Sequence, residues 1–247
     1  MNLREFFAHH PKAAIAFSGG ADSAFLLWAA REYGCDARAY YVRSVFQPEF
    51  ELNDAKRLAG ELDMPMTVLE ADILSAPMVA ENPADRCYHC KTALFTKLWQ
   101  AAKADGCDLL LDGTNASDDA DDRPGMRALT ELEVRSPLRE CGITKPEVRR
   151  LSKEAELFTW DKPAYACLAT RIPTGVPITA EDLNHVEQAE NALFALGFSD
   201  FRVRLYHGAA RIQVPEKDFS RVIAQKEAIL RAVSPLFKSV FLDLEAR

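Results

Sequence analysis

The stretch that most constrains the fold is a glycine-rich turn, residues 18–23, between an apolar run and a helix-like segment. The apolar run covers residues 13–17, the turn reads Ser-Gly-Gly-Ala-Asp-Ser, and the segment that follows ends near Gly34. This order predicts a buried strand, a turn and an amphipathic helix in immediate succession. Glycine lets the backbone approach a ligand closely, and the first N–H groups of a helix attract anions. The stretch therefore predicts a phosphate site to which Ser18 and Ser23 add hydroxyl donors.

The rest of the N-terminal part alternates predicted strands with predicted helices. Strands are expected at 37–42, at 66–72 and from 109 onward, helices at about 51–62, 91–104 and 145–156, and a loop at 75–90. The last of these helices is predicted from a capping box at residues 144–147. Such alternation is typical of an α/β fold in which helices cover both faces of a parallel sheet. Ligands bind these sheets beyond the carboxyl ends of the strands, where residues 18–23 and 112–115 both fall.

A smaller α+β unit is predicted after a connector rich in proline and glycine, which runs from Cys167 to Pro177. Its predicted elements are a helix from Thr179 to Gly197, strands at 201–206 and 209–214, a helix at about 215–232 and a strand at 238–244. Because this part has its own periodicity, we expect two domains, residues 1–174 and residues 175–247.

The net charge of −7 restricts the choice of partner. The acidic excess lies in residues 1–167 and includes the run at 118–122. We interpret this run as a solvated loop, with metal binding as the alternative. No basic tail or lysine-rich stripe is visible, which argues against a nucleic acid partner. The sequence shows no apolar stretch long enough to cross a membrane and no signal-peptide pattern. A cytoplasmic location with reduced cysteines is the expectation.

Three of the six cysteines are candidates for chemistry. Cys87 and Cys90 form a Cys-x-x-Cys pair that can reach one metal ion or cluster, although a redox pair and two incidental thiols fit the spacing equally well. Cys167 lies in the sequence between Lys162 and Arg171, and nearby cations make a thiol more reactive. The remaining cysteines are interpreted as small core residues: Cys35, Cys107 and Cys141.

Arg202 and Arg204 are two residues apart on a predicted strand, so they project from the same face. Paired guanidinium groups suit a nucleotide phosphate because they donate planar, bidentate hydrogen bonds. A solvated strand face fits the spacing equally well. Arg211, on the next predicted strand, is a weaker candidate.

The turn at residues 18–23 lacks the lysine of the common Gly-Lys-Ser/Thr phosphate loop and resembles the SGGxDS loop of the ATP pyrophosphatase (PP-loop) superfamily. A wider set of motifs resembles, in the same order, the LarE-type ATP-dependent sulfur transferases, which make the nickel-pincer nucleotide cofactor. The motifs that carry this resemblance are residues 18–23, 85–91, 112–118, 123–128, 136–138, 160–173 and 202–204. The resemblance covers most of the chain and implies a PP-loop domain followed by a small α+β domain.

By this resemblance, ATP adenylates a carboxylate of pyridinium-3,5-biscarboxylic acid mononucleotide, and a sulfur nucleophile then displaces AMP and leaves a thiocarboxylate. A carboxylate needs such activation because it is a poor electrophile until its oxygen joins a good leaving group. Mg²⁺ is expected with the ATP phosphates. Asp22 and Cys167 are the implied catalytic residues. The implied ATP-binding residues are Ser18, Gly19, Gly20, Asp22, Ser23, Gly113 and Arg127.

Sulfur is delivered in this family in two ways. In one, a single cysteine gives up its own sulfur and becomes dehydroalanine, and Cys167 matches that position. In the other, three cysteines hold a [4Fe–4S] cluster whose open iron carries sulfide, and Cys87 and Cys90 would complete that set with Cys167. We interpret the three thiolates as a cluster site, with donation by Cys167 as the alternative.

The resemblance also implies roles in the C-terminal unit. Arg202 and Arg204, with Arg171, are expected to hold the substrate phosphate, and Glu190 is a candidate Mg²⁺ ligand. An acidic residue is expected where this chain has Gln213, and a neutral amide binds Mg²⁺ less well than a carboxylate. Homo-oligomers are common in the family.

Three other functions are compatible with a PP-loop fold: a tRNA thiolase, an ATP-dependent amide-forming ligase and a non-catalytic nucleotide-binding module. The missing basic extension disfavours the thiolase, and the missing glutaminase domain disfavours the ligase. The intact turn, together with Asp22 and Cys167, disfavours a module that has lost catalysis.

Overall fold

The computed structural model of the chain describes residues 1–118 and 124–245. Most of the acidic run at 118–122, and residue 123 of the motif at 123–128, lie outside the described residues. The contacts within the chain divide it into two compact units. The first unit comprises Met1–Ile73 and Asp85–Ala164, and the second comprises Leu74–Ala84 and Tyr165–Arg247. The division into domains of residues 1–174 and 175–247 stays a prediction.

Seven strands and eleven α-helices are formed within the described ranges. The strands are β1 (Lys12–Ala16), β2 (Asp36–Arg43), β3 (Met66–Glu70), β4 (Leu110–Leu111), β5 (Arg202–Tyr206), β6 (Ala209–Gln213) and β7 (Val240–Leu242). The helices are α1 (Leu3–His9), α2 (Ala21–Glu32), α3 (Glu49–Glu61), α4 (Pro77–Ala80), α5 (Arg86–Ala104), α6 (Pro124–Glu131), α7 (Pro137–Glu140), α8 (Lys145–Glu154), α9 (Ala180–Ala195), α10 (Phe219–Ala224) and α11 (Lys226–Val233). No helix among these residues is both long enough and apolar enough to span a membrane.

The first unit contains a parallel sheet with the strand order β3-β2-β1-β4, which confirms the predicted α/β fold. Ala13, Ala14 and Ile15 of β1 are fully buried, as expected for a strand covered on both faces. The chain first builds the sheet outward from β1 through β2 and β3 and then places β4 on the other side of β1. The carboxyl ends of β1 and β4 are thus the topological switch point where such sheets bind ligands.

The helix predicted from the capping box at residues 144–147 is confirmed as α8. The backbone N–H of Thr144 donates to Oε2 of Glu147 at 2.9 Å, so the carboxylate satisfies a donor that the helix itself leaves open. This hydrogen bond is the main cause that lowers the pKa of Glu147.

The loop predicted at residues 75–90 is wrong in part, because this stretch contains the short helix α4 and the first turn of α5. Cys87 and Cys90 therefore lie on a helix and not in a loop before one. The start of α5 could not be predicted from the sequence because its first turn has no apolar stripe. Backbone geometry defines it instead, with the N–H of Tyr88 donating to the carbonyl of Asp85 at 2.8 Å.

The second unit contains a three-stranded sheet with the order β5-β6-β7. Strands β5 and β6 form an antiparallel hairpin, and β7 runs parallel to β6. The hairpin turn places His207 at φ 50° and Gly208 at φ 79°, the left-handed conformation that tight hairpins require. The single helix predicted at 215–232 is wrong, because Gln225 separates α10 from α11.

Residues 74–84 join the second unit through Asn82, which is buried and has φ 56°. Its amide nitrogen donates to the carbonyl oxygens of Pro173 at 2.8 Å and Val176 at 3.0 Å. In return, the N–H of Gly175 donates to the carbonyl of Asn82 at 2.8 Å. These hydrogen bonds hold the proline- and glycine-rich connector in one conformation.

Candidate active site

A cavity of about 580 Å³ lies at the carboxyl edge of the sheet in the first unit. Ser18, Gly20, Asp22 and Ser23 line it from the end of β1, and Gly113 lines it from the end of β4. The structure thus brings together, at the topological switch point, five of the residues implied to bind ATP.

The turn at residues 18–23 is held together by its own serines. The hydroxyl of Ser23 accepts from the N–H of Ser18 at 3.2 Å and donates to the carbonyl of Gly20 at 3.2 Å. Gly20 is the residue before α2, and no described side chain caps the first turn of that helix. The first N–H groups of α2 therefore remain available to an anion.

Gly19 and Gly113 are required by close approaches of the backbone. Gly19 has φ 72°, and a Cβ there would lie 2.9 Å from the carbonyl oxygen of Glu51. A Cβ on Gly113 would lie 2.8 Å from the backbone nitrogen of Ser23. The two glycines thus allow α3 and the end of β4 to contact the turn directly.

Asp22 forms an ion pair with Lys145, the first residue of α8. Its other carboxylate oxygen accepts from the side-chain amide of Asn115 at 3.3 Å. The sequence predicted the start of α8 but not this contact, because an ion pair between residues so far apart leaves no local pattern.

A second ammonium group lies at the same turn. Nζ of Lys162 donates to the carbonyl of Gly19 at 3.2 Å and to Asp54 at 2.7 Å. Arg149 fixes this segment, because its guanidinium donates to the carbonyl of Lys162 at 3.0 Å. Both groups that accept hydrogen bonds from this ammonium belong to the first unit, and an effect of Lys162 on the reactivity of Cys167 stays a prediction.

The remaining wall of the cavity is largely apolar and is provided by α5 and α6. Leu94, Phe95 and Leu98 of α5 and Met126 of α6 form this wall. Lys91 lies on the same helix face and also lines the cavity. A site with an apolar wall at one side and open N–H groups at the other suits a nucleotide, which has a flat base and charged phosphates.

Arg127 is not among the described residues that line the cavity. Its guanidinium lies over the ring of Tyr88, 3.7 Å from the ring centre, and its Nε is 3.5 Å from Glu131. An ATP-binding role for Arg127 stays a prediction.

Cys87 and Cys90 lie one turn apart on α5, so both thiols are on the same side of the helix. Cys87 is exposed and lines the cavity. Cys167 belongs to the second unit, where it precedes a 3-10 turn at Leu168–Arg171. In the described ranges, no group of three or more His, Cys, Asp or Glu side chains could hold a metal ion. Because Cys87 and Cys90 belong to the first unit and Cys167 to the second, the three-thiolate site stays a prediction.

The second unit contains a buried ion pair between Arg171 and Glu190, whose side chains are 0% and 1% exposed. Nε and Nη2 of Arg171 donate to the two carboxylate oxygens at 2.7 and 3.2 Å. Glu190 also accepts from the N–H of Val203 at 2.9 Å and from the hydroxyl of Tyr165. Four donors occupy the lone pairs of one carboxylate. Magnesium binding by Glu190 stays a prediction that this arrangement disfavours.

Arg202 and Arg204 lie next to this ion pair on β5. Arg202 is buried and Arg204 is partly buried. Burial, followed by the charge of Arg171, lowers the pKa of Arg202 to about 10. The same causes, with the charge of Arg211 in addition, lower the pKa of Arg204. Positive charge is thus in excess in this cluster. An anion bound between the arginines would relieve that excess.

Gln213 occupies the position where an acidic residue was expected. Its carbonyl oxygen Oε1 accepts from Nε of Arg204 at 2.6 Å. Its amide nitrogen Nε2 donates to Oδ2 of Asp243 at 2.8 Å. Both ends of the Gln213 side chain therefore have charged partners, Arg204 at one end and Asp243 at the other.

Comparisons with known proteins identify the family. No family model matches the chain. The chain is 33% identical over 236 residues to the pyridinium-3,5-bisthiocarboxylic acid mononucleotide synthase of Lactiplantibacillus plantarum, an alignment that covers 94% of this chain and 86% of the relative. It is 38% identical to an uncharacterised protein of Synechocystis over 99% of this chain and 92% of that protein. An uncharacterised protein of Methanocaldococcus jannaschii is 32% identical over 99% of this chain and 93% of its own length. The chain belongs to the LarE family of ATP-dependent sulfurtransferases.

Proposed function

We propose that this enzyme uses ATP to convert a carboxylate of pyridinium-3,5-biscarboxylic acid mononucleotide into a thiocarboxylate, with release of AMP and pyrophosphate. The observation that carries the proposal is the uncapped turn at residues 18–23, which opens into a cavity of about 580 Å³ with an apolar wall. The named relative from Lactiplantibacillus plantarum is a synthase of the corresponding bisthiocarboxylic acid, which supports this choice of substrate.

In the first step, a carboxylate oxygen of the substrate attacks the α-phosphorus of ATP, and pyrophosphate leaves. The open N–H groups at the start of α2 would bind the phosphates, while Lys145 and Lys162 supply positive charge beside the same turn. Mg²⁺ bound to ATP neutralises charge on the leaving pyrophosphate. Asp22 and Asp118 are carboxylates of the cavity that fit such an ion, because Mg²⁺ uses one or two carboxylates together with phosphates.

In the second step, a sulfur nucleophile attacks the acyl carbon of the adenylate, and AMP leaves. If Cys167 is the donor, its thiolate first forms a thioester. Loss of the Cα proton and cleavage of the Cβ–S bond then release the thiocarboxylate and leave dehydroalanine. The alternative is a [4Fe–4S] cluster held by Cys87, Cys90 and Cys167. Such a cluster, when bound, would supply sulfide at its open iron.

We assign the substrate phosphate to the arginine cluster of the second unit, Arg171, Arg202 and Arg204. Glu190 forms a buried ion pair with Arg171, and Arg202 and Arg204 lie next to it on β5. Among the described residues, the four arginines of this region, Arg211 included, outnumber its two carboxylates, Glu190 and Asp243, so an anion would balance the charge. Bidentate guanidinium groups are well suited to a phosphate monoester.

The test is substrate-dependent pyrophosphate release by purified enzyme given ATP, Mg²⁺ and the dicarboxylate mononucleotide. We expect release only when the mononucleotide is present. Enzyme that binds ATP but releases no pyrophosphate with this substrate would overturn the proposal. Iron content of protein purified without oxygen, together with the mass of the spent protein, distinguishes the two sulfur sources. Cys167→Ala should abolish thiocarboxylate formation in both cases.

A further inference from the structure

We propose that Gln213 is a positioning residue that holds Arg204 for an anionic ligand without neutralising its charge. This inference rests on the proposed phosphate site in the second unit, since it explains how one of that site's arginines is kept oriented and charged. It gives a reason for a neutral amide at position 213, where the family resemblance led us to expect an acidic residue.

The orientation of the Gln213 amide is determined by its two partners. A guanidinium group only donates hydrogen bonds, and an ionised carboxylate only accepts them. The carbonyl oxygen must therefore face Nε of Arg204, at 2.6 Å, and the NH₂ group must face Oδ2 of Asp243, at 2.8 Å. Gln213 thus connects a cation to an anion in one defined direction.

Asp243 keeps this connection in place. It accepts hydrogen bonds from the backbone N–H of Glu245 at 3.1 Å and from Gln213, and these are the two largest causes that lower its pKa. Its Oδ2 also lies 3.4 Å from Nε of Arg211. The carboxylate is therefore ionised near neutral pH and anchored at one end of the connection.

Arg204 is restrained at two of its nitrogens. Nε donates to Gln213, and Nη1 donates to the carbonyl of Thr170 at 2.6 Å. Both partners are neutral, so the guanidinium is oriented without a direct ion pair. Burial, followed by the charges of Arg171 and Arg211, lowers the pKa of Arg204, and Glu190 and Asp243 offset this only in part. A ligand anion would add negative charge next to the guanidinium.

A carboxylate at position 213 would instead form a direct ion pair with Arg204. It could accept the same hydrogen bond from Arg204, but its second oxygen would replace the NH₂ group that donates to Asp243 and would face that carboxylate. The added charge would neutralise Arg204 and compete with the ligand anion. Charge, and not orientation alone, is therefore what the amide preserves.

The test compares sulfate binding, measured by titration calorimetry at pH 8, in the full-length protein and its variants. Binding that is lost in Arg204→Met defines the arginine site. At that site we expect Gln213→Glu to weaken sulfate binding by about tenfold or more, the effect of one partly buried charge. We expect Gln213→Met, which has no hydrogen bonds to offer but adds no charge, to weaken it less. Gln188→Glu, which adds the same charge at an exposed position of α9, should leave binding unchanged.

The double variant Gln213→Glu with Asp243→Asn places an amide donor opposite the new carboxylate and keeps the net charge. A purely structural role predicts that this double variant binds sulfate as wild type does, whereas the inference predicts that it binds sulfate weakly. The inference would be overturned if Gln213→Glu bound sulfate with the affinity of wild type, or if Gln213→Met bound sulfate more weakly than Gln213→Glu. If Arg204→Met binds sulfate as wild type does, the phosphate site itself is wrong, and this result is distinguishable from failure of the Gln213 inference alone. Circular dichroism of each variant without sulfate confirms that it is folded.

Discussion

The carboxylate of Asp22, in the first turn of α2, pairs with the ammonium group of Lys145, the first residue of α8. Two helix starts are thereby joined at the edge of the cavity, and both attract negative charge. In the free enzyme Asp22 supplies that negative charge. The phosphates of a bound nucleotide would share Lys145 with Asp22, so nucleotide binding would change the charge balance of this ion pair.

Replacement of Lys145 by methionine should slow substrate-dependent pyrophosphate release by about 10–100-fold, because it removes a cation from the side on which the phosphates would lie. Initial rates of pyrophosphate release at saturating ATP measure this effect. Lys56→Met, at an exposed position of α3, is the matched control and should leave the rate unchanged. A rate for Lys145→Met within twofold of wild type would remove Lys145 from the proposed site.

Replacement of Gly113 by alanine should destabilise the protein by about 1–3 kcal/mol, since the added methyl group would overlap the backbone of Ser23. It should also weaken ATP binding, because the turn must shift to make room. Urea unfolding and ATP titration measure the two effects. Gly60→Ala is the control: it lies in α3 with open space around it, and alanine should be neutral or stabilising there. Equal stability of the two variants would contradict the close approach.

Replacement of Glu190 by glutamine should destabilise the protein by about 3–5 kcal/mol, because the fully buried charge of Arg171 loses its partner. Glu154→Gln breaks an exposed ion pair with Arg150 and should change the free energy of unfolding by less than about 0.5 kcal/mol. Urea unfolding compares the two. A small effect at Glu190 would indicate that Arg171 is balanced in another way.

The contact between Tyr40 and Asp105 predicts a pH-dependent stability. The hydroxyl of Tyr40 donates to Asp105 at 2.6 Å and is the largest cause that lowers the pKa of that carboxyl. A lowered pKa in the folded state stabilises the protein above the ordinary aspartate pKa of about 3.9, and this contribution is lost as the pH falls further. Wild type should therefore be more stable than Tyr40→Phe at pH 7, with a difference that shrinks below about pH 4. Urea midpoints at pH 7 and pH 3 measure it, and a constant difference would contradict the assignment.

Local sequence patterns predicted the parts of the molecule that depend on neighbouring residues. The apolar run of β1, the turn after it and the capping box of α8 are of this kind, and all are present. The first turn of α5 was missed because it has no apolar stripe, so periodicity could not separate it from a loop.

Contacts between distant residues could not be predicted from local patterns. Lys145 and Lys162 reach the turn at residues 18–23 only because the fold brings α8 and the segment after it to the edge of the sheet. The sequence indicates Glu190 as a candidate Mg²⁺ ligand, but it does not indicate that the carboxylate is buried against Arg171. In each case, the charge was visible in the sequence and its partner was not.

The most direct test of the proposed chemistry follows one oxygen atom. The mononucleotide is labelled with ¹⁸O in its carboxylates and incubated with enzyme, ATP and Mg²⁺, and the released AMP is analysed by mass spectrometry. Attack of the carboxylate on the α-phosphorus, followed by displacement by sulfur, predicts one ¹⁸O atom in each AMP and none in pyrophosphate. Thiocarboxylate formed together with unlabelled AMP would show that the carboxylate is not activated as an adenylate and would contradict the account.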